Sequence, residues 1–198
     1  MTPFTPSGAE RSRGVAFDSA RAERKFAVLL ASLFAAGGCV RRGVPPLLPA
    51  SDGGSVAPLE LVLPRFGTGE AHALASDRGS VVLLDVWATW CEPCKDALPL
   101  VEQLAAANGP RGFRAYAVSI DADPREVSRF VAETKLALPV LLDPDADASE
   151  HKLGVRLMPT SFLLDRAGRV RFVHEGFDEH TMDKTKAELD LLLAEPAP

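Results

Sequence analysis

The chain has 198 residues, of which 46% are apolar and 25% charged, with a formal net charge of −5. That composition belongs to a folded globular protein of one ordinary domain, and excludes a collagen, a largely disordered chain and a multi-span membrane protein. With 22 Lys and Arg against 27 Asp and Glu and no long basic run, the electrostatic footprint of a nucleic-acid binder is missing, so no nucleic-acid partner is expected. Three cysteines are too few for a disulfide-stapled scaffold. They stand as one isolated residue, Cys39, and one close pair, Cys91 and Cys94.

In chain order, the first feature is a leader. Residues 1–25 are polar and end on Arg24-Lys25; residues 26–36 are uncharged and apolar; Gly37-Gly38 then precede Cys39. A basic flank, a short apolar core and a small-residue site form a secretory signal peptide, and the core falls short of the roughly 20 residues a spanning helix needs. A Cys directly after small residues resembles a bacterial lipoprotein signal, with Cys39 as the acylated new N-terminus, although Ala36 stands where that pattern carries Leu. Residues 1–38 are therefore expected to be a signal peptide of lipoprotein type. Residues 39–58, rich in Pro, Gly, Ser and Ala, read as a flexible tether.

Residues 59–198 read as one α/β domain. Residues 59–63 and 71–74, joined by Gly67-Thr68-Gly69-Glu70, predict an N-terminal hairpin. Residues 80–87 form a nearly continuous apolar run, as a strand buried on both faces should. A helix is predicted over 92–108, a buried strand over 113–120, a helix over 124–136, a short strand over 139–142 and a helical stretch over 146–153. Residues 160–164 and 170–174, around the turn Asp165-Arg166-Ala167-Gly168, predict a second hairpin, and a helix over 178–195 closes the chain. Alternating strands and helices imply parallel pairing with right-handed crossovers, to which the last hairpin adds antiparallel strands. The expected product is a mixed sheet with helices on both faces.

The chemistry falls at Trp87-Ala88-Thr89-Trp90-Cys91-Glu92-Pro93-Cys94, where a buried strand ends and a helix begins. Two residues between cysteines in a first helical turn bring the sulfurs within bridging distance. The unpaired N–H groups and partial positive charge of a helix start stabilise a thiolate. Cys91, at the helix mouth, is the expected exposed nucleophile; Cys94, a turn further in, is the shielded resolving thiol. Asp85 interrupts the apolar strand, where burial should raise its pKa and suit it to exchange a proton with Cys94.

Residues 82–99 and 154–176 carry a resemblance to the thioredoxin superfamily, and more closely to its exported TlpA/ResA-like thiol–disulfide oxidoreductases. The resemblance implies a thioredoxin-like fold with a central βα insertion between the first helix and Met158-Pro159-Thr160, the triplet that matches the family's cis-proline loop facing the cysteines. It implies protein thiol or disulfide clients gripped by Trp90, Glu92, Pro93, Met158, Pro159 and Thr160, through side chains and exposed backbone. It also implies recharging by a membrane thiol reductase, and a place on the periplasmic side of a bacterial membrane, held by a lipid on Cys39. The Cys-Glu-Pro-Cys segment looks like reductants that keep apocytochrome c thiols reduced. Where such proteins often place a Glu just inside the helix, this chain has Ala97, which suggests that Asp85 takes over the proton work. No cofactor is expected, since electrons travel through the cysteine pair, and no metal: a zinc site needs two further ligands, and His72, His151, His174 and His180 are scattered. Rival readings are an oxidase or isomerase of exported proteins, a peroxidase, and a copper carrier of the Sco kind with His174 as its loose positional candidate.

Overall fold

The computed structural model describes residues 55–56 and 60–196. The expected signal peptide and Cys39 lie outside the described residues. The strands in chain order are β1 (Ser55–Val56), β2 (Val62–Pro64), β3 (Ala71–Ala73), β4 (Val81–Trp87), β5 (Phe113–Ser119), β6 (Val140–Leu142), β7 (Thr160–Leu164) and β8 (Arg169–Glu175). The helices are α1 (Glu92–Asn108), α2 (Pro124–Thr134) and α3 (Glu179–Ala194). Six strands form one sheet in the order β1-β8-β7-β4-β5-β6, while β2 and β3 form a separate hairpin. β4, β5 and β6 run parallel; β7 is antiparallel to β4 and β8 to β7. This is the mixed thioredoxin-like α/β sheet the sequence predicts, with α2 and β6 as the central insertion. No helix among the described residues is long and apolar enough to cross a membrane.

One correction concerns the tether expected over 39–58. Ser55–Val56 already belongs to the sheet, paired with Val170 and Arg169 at its β8 edge. A two-residue strand inside a Gly-, Ser- and Pro-rich stretch has no periodicity to betray it, because its partner strand supplies the order.

β4 is buried along all seven residues. Its alternation divides the core in two. Val81, Leu83 and Trp87 face a layer made by Leu98, Val101 and Leu104 of α1, Val127 of α2, and Leu189 and Leu192 of α3. Val82, Leu84 and Val86 face Leu61, Leu63, Leu74, Ala148, Leu153 and Val155. Helical elements thus lie on both faces, but unevenly. Among the described residues all three α-helices share one face; the other carries the β2–β3 hairpin, a 3-10 turn (Leu74–Asp77) and a single π-helical turn (Asp147–Lys152). Handedness explains part of this. The crossovers β4-α1-β5 and β5-α2-β6 step the same way along the sheet, and two right-handed crossovers in one direction put both helices on one side.

The hairpin is fastened by polar groups. Asp77, 2% exposed, accepts from Tyr116 Oη–H at 2.9 Å and from Arg114 at 2.8 Å, and lies 2.8 Å from His72 Nε2. Arg65 donates to His72 Nδ1 at 2.7 Å, so Nδ1 carries no hydrogen and Nε2–H points to the carboxylate.

Candidate active site

Trp87 ends β4 with its indole packed 4.9 Å from the Phe130 ring and fully buried. Four residues then turn the chain into α1. The Cys91 N–H bonds back to the Ala88 carbonyl at 3.1 Å. Asp121, just past β5, holds the middle of the turn: its carboxylate accepts the Thr89 N–H at 3.0 Å, the Thr89 hydroxyl at 2.7 Å and the Ser119 hydroxyl at 2.9 Å. The sequence reading missed this clamp, because Thr89 and Asp121 lie 32 residues apart and only the β4–β5 pairing brings them together.

Cys91 is the N-cap of α1, with Glu92 and Pro93 in the first two helical positions and Cys94 in the third. The two cysteines form a disulfide with Cα atoms 5.3 Å apart. The expected asymmetry is present but smaller than foreseen: Cys91 is 7% exposed and Cys94 0%. Cys91 is thus a nearly covered rim residue rather than an open one. The accessible surface beside it belongs to Trp90, 65% exposed, and to the exposed Glu92 and Pro93. Glu92 is paired with Lys95 at 2.8 Å, which offsets its negative charge beside the cysteine.

The Met158–Pro159 peptide bond is cis. β4 and β7 pair with Val86 opposite Thr160, so continuing the register sets Pro159 beside Trp87, where β4 runs into the cysteine turn. The Pro159 carbonyl accepts the Gly176 N–H at 2.7 Å, which ties the loop to the end of β8; Gly176 makes that turn at φ +78°. Thr160 is buried and donates its hydroxyl to the Leu157 carbonyl. Met158, half-buried, packs against both layers of the core. Of the loop residues expected to touch a client, Met158 keeps surface to do so, while Thr160 is committed inward.

Asp85 is 1% exposed and shares its face of β4 with Leu83 and Trp87, the layer that contains Cys91 and Cys94. One oxygen accepts the Ser161 hydroxyl at 2.5 Å; the other, Oδ2, is buried without a partner. Burial raises the carboxyl to about 7, against the opposing effect of the Ser161 hydrogen bond. Ser161 is a second residue the sequence did not reveal: a lone Ser in a strand carries no signal until register places it against a buried acid.

The histidine expected to be a loose copper candidate is engaged elsewhere. His174 is buried, with Nε2 2.6 Å from Glu188 Oε2.

A disulfide at the mouth of a helix, in this fold, defines a thiol–disulfide oxidoreductase. The chain belongs to the redoxin family, whose profile matches residues 54–191. It is similar to the thiol-disulfide oxidoreductase ResA of Geobacillus kaustophilus (strain HTA426), 32% identical over 143 residues that cover 72% of this chain and 78% of the relative. The thioredoxin-like protein YneN of Bacillus subtilis (strain 168) is 31% identical, over 63% of this chain and 71% of its own. A crystal structure from Chlorobium tepidum assigned to the thiol:disulfide interchange protein DsbE matches with a TM-score of 0.67 at 35% identity, over 71% of this chain and 97% of that one.

Proposed function

We propose that the protein is an extracytoplasmic reductant of protein disulfides, with Cys91 as nucleophile, Cys94 as resolving thiol and Asp85 as the proton acceptor for Cys94. The observation that carries this reading is the position of the pair. Cys91 occupies the N-cap, where a side-chain acceptor meets unpaired helix N–H groups, and Cys94 lies wholly inside, on the layer that holds a buried acid.

In the reduced protein, the Cys91 thiolate is stabilised by the N–H groups of Glu92 and Cys94 and by the helix dipole. It attacks one sulfur of a client disulfide. A Cys91–client disulfide forms, and the client's other sulfur leaves as thiolate and takes a proton from water. Cys94 then gives its proton to Asp85 and attacks the Cys91 sulfur. The client's second thiolate leaves, and Cys91–Cys94 closes. Two electrons pass to the client, and no cofactor is needed. Trp90, Glu92, Pro93 and Met158 form the surface a client meets, with Pro159 and Thr160 holding the loop behind them.

Clients are exported proteins with cysteine pairs; apocytochrome c is the class suggested by the likeness to ResA. A membrane thiol reductase returns electrons to the pair. Cys39 carries a lipid that holds the domain at the periplasmic face. The basic, apolar and small-residue order of residues 24–39 supports export. The test is a pair of variants. Cys91→Ser should reduce insulin disulfides no faster than background, whereas Cys94→Ser should accumulate mixed disulfides through Cys91. Wild-type turnover by Cys91→Ser would end this reading.

A further inference from the structure

The reaction above leaves a proton on Asp85, a residue 1% exposed, and that proton has to leave before the next cycle. Sheet register lines up the groups that such a path needs. Asp85 stands opposite Ser161 on β7, and Ser161 stands opposite His174 on β8. Directly opposed residues of antiparallel strands share a face, with Cβ atoms about 5 Å apart. The three side chains therefore form one polar row across the helical face of the sheet. Their neighbours on that face, Leu83, Trp87, Leu163 and Phe172, belong to the apolar core. Polar groups crossing a core at one level are costly unless they serve one another.

The ends of the row are defined by contacts. Ser161 Oγ–H donates to Asp85 Oδ1 at 2.5 Å. His174 Nε2 lies 2.6 Å from Glu188 Oε2 on α3. An ionised carboxylate only accepts, so Nε2 carries the hydrogen and Nδ1 is left as an acceptor. His174 also lines a surface depression of about 310 Å³, together with Glu175, Asp178, His180 and Lys184. The row thus begins at a buried acid, passes a half-buried Ser161 and ends at His174, a buried side chain that borders an open depression.

We propose that Ser161 and His174 form the proton exit of the active site, carrying to solvent beside Glu188 the proton that Asp85 takes from Cys94; the role rests on Asp85 being that acceptor. While Asp85 is ionised, Ser161 donates to it. Once protonated, Asp85 donates to Ser161 Oγ, and the hydroxyl hydrogen turns toward His174 Nδ1. Ser161 gains one proton and gives one up. His174 becomes an imidazolium facing Glu188, gives up its Nε2 proton at the surface and returns to the starting tautomer by exchange with water; no electrons move. Asp85 is faced by Ser161 from β7 and by the non-titrating Ala117 from β5, and lies on the face of β4 whose apolar layer includes Cys94. His174 is faced by Glu188, whose other oxygen lies 3.8 Å from Lys184, with Glu175, Asp178 and His180 around the opening.

The test uses the reduced protein and Ellman's reagent in stopped flow. The first thionitrobenzoate release reports attack by Cys91, and the second reports closure by Cys94. At pH 6 and low buffer, His174→Gln should slow the second release about tenfold, within the range of general acid–base effects, and leave the first unchanged. The deficit should fade above pH 8, where Asp85 starts ionised, and added imidazole should restore the rate. Ser161→Ala removes a single oxygen and keeps the test open if the histidine variant is unstable. It should slow the same phase and move its pH midpoint upward, since the lost hydrogen bond favours the carboxylate. A second release at the wild-type rate in both variants, or a deficit that imidazole does not restore, overturns the exit. Asp85→Asn separates the two levels: if it is slow while both variants are fast, only the exit fails, and if it too is fast, the acceptor role fails with it.

Discussion

Burial raises the Asp85 carboxyl to about 7 from an ordinary 3.8, and the sign of that shift fixes a stability effect. Between these values the native state holds a proton that the unfolded chain has released, so stability falls as pH rises from about 4 to about 7 and then levels off. Three units correspond to about 4 kcal/mol, an upper figure because the native site can relax around the charge. Asp85→Asn removes this dependence. In denaturant titrations of the oxidised protein, the variant should gain on the wild type steadily between pH 4 and 7, reaching a gap of about 2–4 kcal/mol that stays flat at higher pH. A gap constant across the whole range would mean that Asp85 is solvated and ionised throughout. The same variant should resolve mixed disulfides more slowly, so the residue costs stability where it supplies chemistry.

The secondary elements differ in how strongly their local sequence dictates them. α1 and β7 occupy the residues predicted, since a strong helical period and a turn-flanked apolar run leave little choice. α2 stops at Thr134 rather than 136 because Lys135 takes a left-handed conformation, φ +58°. The stretch read as a helix over 146–153 is one π-turn. The Asp143 carboxylate takes the Ala148 and Ser149 N–H groups, and Ala146 at φ +53° and Gly154 at φ +72° bound it. The cysteine motif was legible because its residues are contiguous. Its supports, Asp121 and Ser161, were not, because each is set by strand register across 32 and 76 residues. The Asp121 clamp carries an expectation of its own. Asp121→Ala strips acceptors from the Thr89 N–H and from two hydroxyls, which should cost about 2–3 kcal/mol in unfolding free energy. It should also slow attack by Cys91 on Ellman's reagent, since the turn that presents the cysteine is no longer held. Loss of stability with an unchanged Cys91 rate would show that α1 and the disulfide alone position the turn.

At the scale of the whole molecule, the direction of electron flow is a property of the folding equilibrium. Oxidised and reduced forms each unfold, and the unfolded chain has its own potential for the Cys91–Cys94 pair. The difference between native and unfolded potentials equals the difference in stability between the two redox forms, at about 1.4 kcal/mol per 30 mV for two electrons. Two opposing terms meet here. The N-cap setting of Cys91 stabilises a thiolate, which favours the reduced fold. Asp85, buried on the same layer, disfavours a second negative charge whenever it is ionised, and Glu92 adds a further acid beside Cys91, offset by Lys95. If the acids prevail, as the proposed reductant role requires, the oxidised protein should unfold at higher guanidinium concentration than the reduced protein at pH 8. The margin should shrink toward pH 5 as Asp85 takes up its proton. A reduced form that is the more stable at both pH values would place the pair with oxidants such as DsbA, whose potential near −120 mV reflects a stabilised reduced state. The same measurement on Asp85→Asn then assigns the acid's share: neutralising Asp85 should bring the two unfolding curves closer together at pH 8 and leave their spacing at pH 5 nearly unchanged.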